Sequence, residues 1–327
     1  MISRRHAALA SGLALVGVHP LSPGQATTSV RRVGLLFNAT ESAAEPRIAA
    51  LRQGMTELGW IEGRNVNYRM ALDSVVERLD GLASTLIAQQ IDVLVVGGSQ
   101  AASAAHRVTR TVPIVMASIG NPVALGLVSS LARPGGNVTG LSSLSVEVFG
   151  KLIEVMRDAV PGARRFAILV SENNPTHSAG WALAQQVCAA LGLLALRVVA
   201  STPEQIGGIA GLVTAQGAQV VVVMLDSLYI SERARLQQTL QSTRLPVGFA
   251  IRDHVDAGGL LSYATNNIAV FRNAAKFVDK ILKGARPGDL PVEQPTTFEL
   301  VISLKAAKAL GITIPQSLLL RADEVIQ

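Results

Sequence analysis

The stretch Ile91-Asp92-Val93-Leu94-Val95-Val96-Gly97-Gly98-Ser99-Gln100 (IDVLVVGGSQ) is a short apolar run without polar alternation, then a glycine turn. An Ala-rich segment near Gln100–Val108 follows it. Runs of this kind belong to strands covered on both faces, as in parallel sheets flanked by helices. The same rhythm extends in both directions. Upstream, Arg32–Phe37 (RVGLLF) ends at the turn former Asn38. Ile48, Leu51, Met55 and Leu58 then recur at helical spacing before Gly59, and Val66–Met70 makes a weaker strand. Val76, Leu79, Leu82, Leu86 and Ile87 give a second helical stripe. Downstream, Pro113–Ala117 is a fourth strand, and Asn121-Pro122 is expected to open the next helix.

Arg133-Pro134-Gly135-Gly136-Asn137 interrupts the rhythm and reads as a crossover, after which it restarts. Helices are expected at Val146–Val160, Ser178–Leu191, from Pro203 and at Ser231–Gln241. Strands are expected at Phe166–Val170, Ala195–Val199, Val220–Leu225 and Pro246–Phe249. Beyond Gly258-Gly259 comes a long helix carrying Phe271, Ala274, Phe277, Val278, Ile281 and Leu282. A Pro/Gly-rich loop, a strand at Phe298–Ile302 and a terminal helical pair complete the chain. The pattern predicts an α/β protein of two Rossmann-like lobes with parallel sheets, joined by three hinge crossovers. The lobes are expected at residues 31–141 plus 263–292 and at 142–262 plus 293–327.

Residues 1–26 carry the marks of a secretory signal peptide: basic Arg4 and Arg5, a mostly apolar stretch from Ala7 to Val18, and small residues at Gly24-Gln25-Ala26. The paired arginines also resemble a twin-arginine signal. The expected mature protein begins near Thr27, in the periplasm. Its removal takes two positive charges from a formal net charge of +6. The remaining basic residues are scattered, with three Tyr and two Trp and no basic–aromatic interleaving, which excludes a nucleic-acid face. Despite a mean hydropathy of +0.37, no run is long enough to span a bilayer, so no stable membrane insertion is expected. A monomer is expected.

The single cysteine, Cys188, excludes an intramolecular disulfide and a multi-cysteine metal site, and reads as a core residue. No dinucleotide, Walker, nucleophile-elbow or zinc-protease motif is present. His106 and His254 are expected to be solvated, and Asp253 and Asp256 to be caps. No catalytic group, metal or cofactor is expected. Small polar residues instead cluster at the C-terminal ends of the expected strands, where open α/β sheets bind ligands. They are Asn38, Ser99, Gln100, Ser118 and Asn121 from the first lobe, and Asn173, Asn174 and Asp226 from the second. Each group precedes an expected helix, whose N-terminal N–H groups would face the same crevice.

The segments ARPGGNVTGLS (Ala132–Ser142), FRNAAKFVDKILKGARPGDLPVEQPTTFELVISLKAAKALGITIP (Phe271–Pro315) and LLLRADEVI (Leu318–Ile326) resemble the tryptophan/tyrosine-type family of ABC transporter substrate-binding proteins. So does LRQGMTELGWIEGRNV (Leu51–Val66). The resemblance covers nearly the whole mature chain. It implies a type I periplasmic binding protein fold and delivery of a small molecule to an ABC transporter permease. Asn121 stands where the family usually has Asp before Pro-Val, and Ser227-Leu228 follows Asp226 where Pro is common. Both lie on expected ligand loops, so the implied ligand is an amino acid or a related metabolite.

In that frame Ser99, Gln100 and Ser118 are expected to receive a carboxylate and Asp226 an ammonium group. Tyr263, near the second crossover, is placed to stack on or hydrogen-bond the ligand. Asp226 equally suits a cap for the helix near Ser231 or a partner for Arg233. Two other classes share the pattern. An exported α/β enzyme would need a base, and the sequence places no His near Asp226. A ligand-sensing regulator would carry a DNA-binding helical pair where this chain has its export signal.

Overall fold

A computed structural model describes residues 30–327; the expected signal segment, residues 1–26, lies outside the described residues. In chain order the first half comprises β1 (Arg31–Phe37), α1 (Glu41–Glu57), β2 (Val66–Leu72), α2 (Leu79–Ala88), β3 (Val93–Gly97), α3 (Ser99–Val108), β4 (Ile114–Ile119) and β5 (Val138–Ser142). Next come α4 (Ser145–Ala159), β6 (Arg165–Val170), α5 (His177–Ala190), β7 (Leu194–Val199), α6 (Pro203–Ile206), α7 (Ile209–Ala215), β8 (Val220–Val223), α8 (Ser227–Ser231) and α9 (Arg233–Ser242). The remainder is β9 (Val247–Phe249), α10 (Asp253–Asp256), β10 (Leu261–Ala264), α11 (Asn267–Leu282), β11 (Glu299–Ser303), α12 (Leu304–Ala309), α13 (Gln316–Leu319) and β12 (Glu324–Ile326).

These strands form two sheets with helices on both faces. The first runs β2-β1-β3-β4-β5, all parallel; the second runs β12-β11-β10-β9-β8-β6-β7, parallel except where β10 meets β11. Every residue of β3, β4, β5 and β8 is buried, as the apolar runs of β3 and β8 require. The edge strands β2 and β7 are only partly covered. The fold is the expected pair of Rossmann-like lobes.

The chain passes between the sheets three times. It leaves the first after β5 and returns after β10 with α11, whose Phe271, Ala274, Phe277, Val278 and Ile281 pack into the first core. Gly54 lets α1 and α11 interlock, since a Cβ there would lie 2.4 Å from the Arg272 carbonyl oxygen. The strand β10 keeps Tyr263 and Ala264 in the second sheet. Residues beyond Pro287 then run beside β5, where Glu293 N–H donates to Gly140 and Ser142 N–H donates to Glu293, before β11 joins the second sheet.

Several expectations change. Arg133–Asn137 is not a crossover; it delivers the chain into β5, a fifth strand of the first sheet. Asn121-Pro122 opens a series of turns rather than a helix, with Leu125 N–H bonding back to Asn121 and Leu127 N–H to Pro122. The helix expected at Ser231–Gln241 is α9, and a short additional helix, α8, precedes it and meets it at Glu232. The terminal helical pair is followed by a further strand, β12. Cys188 is in the second core as expected, and burial pushes its thiol up to about 11.

His254 is not solvated. It is 1% exposed, stacks on Phe249 at 4.6 Å, and its Nδ1 has no hydrogen-bond partner among the described residues. Burial lowers its pKa to about 4, against the pull of Asp253 and with Arg233 and Arg47 adding to the drop. A folded-state pKa below the unfolded value of 6.5 means the unfolded chain binds the proton first. Stability therefore falls as pH drops from about 6.5 to about 4, by about 3 kcal/mol at ~1.36 kcal/mol per pH unit. Urea midpoints for the wild type and His254→Phe should diverge over this range, the variant losing less on acidification. Parallel acid limbs would show that His254 charges without cost.

Candidate functional site

The C-terminal ends of β1, β3 and β4 face those of β6 and β8 across a narrow cleft lined by residues of both lobes, which leaves a cavity of about 50 Å³ between them. Its geometry comes from local backbone rules. The pairing of β4 with β5 shifts register between Met116 and Ile119, and Ser118 there adopts φ +62°. Such an irregularity re-aims a side chain, and Ser118 lines the cleft. Gly98, at φ +93°, turns the chain from β3 into α3 so that Ser99 and Gln100 stand at the cleft wall.

Asp226 is the N-cap of α8, its Oδ1 accepting from Leu228 N–H at 2.8 Å. The cap alternative from the sequence is thus realised, on α8 rather than further along. The cap uses one oxygen only. Oδ2 accepts from Asn174 Nδ2 at 2.8 Å and from Gln100 Nε2 at 3.1 Å, the latter across the cleft. The carboxyl is 2% exposed and, among the described residues, has no Lys or Arg in ion-pair range. A buried carboxylate with hydrogen bonds but no cation remains costly.

His177, which the sequence reading did not place here, lies with its Nε2 4.0 Å from Asp226 Oδ2. It is not a free base. Nδ1 accepts from Ser171 N–H at 2.8 Å, which puts the proton on Nε2, directed at the Leu225 carbonyl at 3.0 Å. Burial holds its pKa below the ordinary value even beside Asp226. Both nitrogens are committed to backbone, so the ring clasps the ends of β6 and β8.

Four buried polar atoms in the cleft lining have no hydrogen-bond partner among the described residues: Gln100 Oε1, Ser118 Oγ, Ser143 Oγ and Asn267 Oδ1. Leaving such atoms unmet costs about 1–3 kcal/mol each. Near them, α3 and α4 begin without a side-chain cap, so their first-turn N–H groups are free to meet an anion. Part of the lining is apolar. Phe37 and Phe271 stack there at 5.4 Å, with Ala43 and Ile230 beside them.

The two lobes touch across the cleft. Besides the Gln100–Asp226 bond, Thr40 N–H donates to Ser231 Oγ at 3.2 Å. Arg47 Nη2 reaches Asp253 Oδ1 at 2.8 Å, so Asp253 is an interlobe partner rather than a cap. This is a closed conformation.

Of the residues singled out from the sequence, Asn38, Ser99, Gln100, Ser118, Asn174 and Asp226 all line this cleft. Asn38 turns its amide to the Asp73 carbonyl. Asn121 lies apart: it is exposed, and its Oδ1 accepts from Ala124 N–H. Asn173 is exposed and donates to the Ser201 carbonyl. Tyr263 sits on β10 against Phe298, packed on the second core, and is not among the residues that line the cleft. The reading missed Arg47, Ser143, Asn267 and Phe271. Arg47 falls four residues after Ala43 and four before Leu51, so its helical spacing places it on the buried face of α1.

A family model described as ABC transporter substrate binding protein matches residues 32–326. A tyrosine-binding protein from Clostridioides difficile is 23% identical over 264 residues, covering 80% of this chain and 75% of its own. A conserved domain protein from Vibrio cholerae superposes with a TM-score of 0.86 at 25% identity, over 91% of this chain and 100% of that one. An ABC domain from Streptococcus pneumonia in complex with L-Trp superposes with a TM-score of 0.84 at 24% identity and the same coverage. Among the described residues no helix is long and apolar enough to cross a membrane.

Proposed function

We propose, because the chain belongs to the family of ABC transporter substrate-binding proteins, that it captures an amino acid or a close relative in the interlobe cleft and delivers it to an ABC permease. One observation carries this reading. Unmet polar atoms and uncapped helix starts meet a buried, cation-free Asp226 in one closed cleft. The arrangement has the polarity of a zwitterion. Ser118, Ser143 and the first turns of α3 and α4 take the carboxylate through hydroxyl and amide donors. Asp226 takes the ammonium, which supplies the missing positive charge. Phe37 and Phe271 supply an apolar wall for the side chain, in keeping with the aromatic amino acids in the names of the relatives.

Binding and closure are one event in this scheme. Gln100, Thr40 and Arg47 belong to the first lobe and their partners Asp226, Ser231 and Asp253 to the second. A ligand touching both lobes favours the conformation in which those contacts form. No chemical step is part of the function. The committed nitrogens of His177 support that reading over an exported hydrolase, since the one imidazole beside Asp226 has no lone pair to spare.

The protein acts in the periplasm as a monomer in this proposal, with residues 1–26 removed on export. Periplasmic material should give an N-terminal sequence starting near Thr27. Intact Met1 in the cytosol would sink the location and the transport role together. The ligand itself is read by native mass spectrometry of the purified protein and by calorimetry against the twenty amino acids. No binding in either experiment would overturn the proposal.

A further inference from the structure

The anion end of the cleft offers more donors than a carboxylate can use. The neighbouring strands β3, β4 and β5 each deliver a serine to the cleft lining: Ser99 just past β3, Ser118 at the end of β4 and Ser143 directly after β5. All three lie around the backbone at Gly120. The Gly120 N–H donates to Ser99 Oγ at 3.3 Å, Ser118 is two residues before it, and Ser143 N–H donates to the adjoining Ile119 carbonyl at 2.7 Å. Ser99 thus spends a lone pair on Gly120 and keeps its proton to donate. Ser118 and Ser143 are 8% and 2% exposed, and their hydroxyls have no partner among the described residues.

Backbone donors stand beside these hydroxyls. Helices α3 and α4, of 10 and 15 residues, begin there without side-chain caps. Their first rungs run from Ala102 N–H to Gly98 and from Val148 N–H to Leu144, so the N–H groups of Ser99–Ala101 and Ser145–Glu147 precede the helical ladder. One helix belongs to each lobe, and an anion between them is held from both sides. The charge of that anion is met by these dipoles and hydroxyls rather than by a cation. Arg47, the one Lys or Arg among the described lining residues, is bonded to the Ala43 carbonyl and to Asp253.

We infer that this end of the cleft is built for a sulfonate, so that the ligand class is an aminosulfonate. The inference rests on the zwitterion reading above and changes only its anion. A carboxylate has two oxygens to share among three strand ends. A sulfonate has three, one for each of Ser99, Ser118 and Ser143, and the helix N–H groups meet the remaining lone pairs. Its single charge never takes up a proton near neutrality, so it accepts only, opposite a set of donors. A phosphonate has the same shape, but above a second pKa near ~6 it carries a second charge. Burying that charge without a cation is costly, and the ligand ammonium is already engaged by Asp226. Ser99 and Gln100 are adjacent, and Gln100 bonds to Asp226, which suits a link of one or two carbons between the two charges.

The test is calorimetry on matched pairs that differ only in the anion: aminomethanesulfonate with glycine, and taurine with β-alanine. Aminomethylphosphonate, at a pH where it is doubly ionised, is the third arm. In at least one pair the wild type should bind the sulfonate about ten- to hundredfold more tightly than the carboxylate, the range of one further hydrogen bond to a charged group. The phosphonate should bind more weakly than aminomethanesulfonate. Ser118→Ala and Ser143→Ala should each shrink the sulfonate-to-carboxylate ratio and leave the ligand-free unfolding temperature in place, because the deleted hydroxyls have no partner among the described residues. Hydroxyls that served only the fold would move that temperature and not the ratio. Carboxylates binding as tightly as their sulfonates in both pairs, a tighter phosphonate, or a ratio unmoved in both variants overturns the inference and leaves amino-acid capture standing. So does binding of any of the twenty amino acids with no binding of either sulfonate. Failure of the sulfonates and of every amino acid together would overturn the underlying reading instead.

Discussion

Asp226→Asn should fold as the wild type does and bind its ligand roughly thirtyfold to several thousandfold more weakly, a loss of about 2–5 kcal/mol. The substitution keeps the size of the side chain and removes its charge. In the closed structure that charge has three hydrogen-bond donors and no Lys or Arg partner among the described residues, so its removal relieves a desolvation cost. Against this stands one lost contact. Oδ2 accepts from two donors, so an Asn would turn its oxygen to Gln100 and Asn174 and its NH₂ to the Leu228 N–H, weakening the α8 cap by about 1 kcal/mol. The two effects oppose each other in stability, and the loss in binding comes from the ammonium losing its anion. Calorimetry reads the affinity, and thermal unfolding without ligand reads the fold. A deaminated analogue sharpens the result: it should bind wild type poorly, and Asp226→Asn should cost it little, since the interaction is already gone. Equal losses for the amine and its deaminated analogue would place the ammonium elsewhere.

How legible this site was from sequence depends on which force placed each residue. Asp226, Ser99 and Gln100 were visible because a buried apolar run points to its own C-terminal end, and parallel sheets bring those ends together. Position along one strand is local information. Ser143 was hidden because VTGLS (Val138–Ser142) reads as loop: Gly and Ser weaken the strand signal. Gly140 is nevertheless required, since a Cβ there would lie 2.2 Å from the Met116 carbonyl oxygen of the neighbouring strand. That contact exists only after the sheet forms. Asn121 failed for the opposite reason. Asn-Pro is a good helix start, but Leu125 and Leu127 satisfy single turns and no helix propagates. Tyr263 was misplaced because the four-residue strand β10 after Gly258-Gly259 was not seen, and its ring packs on the second core. Arg47 and His177 needed the tertiary structure. One is held by an acid 206 residues away and the other by backbone groups of two different strands. Long-range partners of this kind leave no periodic trace.

Gly120→Ala should leave the ligand-free fold nearly unchanged and abolish most of the ligand-driven closure. Gly120 follows β4 in the first lobe, and its N–H meets Ser99 Oγ while its carbonyl accepts from Ser142 Oγ. A Cβ at this position would lie 2.7 Å from Thr176 Cγ2 and 3.1 Å from Ser145 Oγ, where the second lobe begins to pack. Thr176 cannot swing aside cheaply. It is 7% exposed, and its Oγ1 and N–H both donate to the amide oxygen of Asn174, which in turn holds Asp226. Overpacking a site of this kind costs about 1–3 kcal/mol, and here the cost falls on the closed conformation alone, because opening the cleft separates Gly120 from Thr176. Apparent affinity falls by the factor through which the closed population falls, so the expected loss is roughly five- to 150-fold. Small-angle scattering should show the wild type contracting at saturating ligand and the variant contracting much less, with equal unfolding temperatures in the ligand-free state. A variant that closes and binds like the wild type would mean that the lobes do not move apart at Gly120, and that the ligand enters and leaves without the hinge.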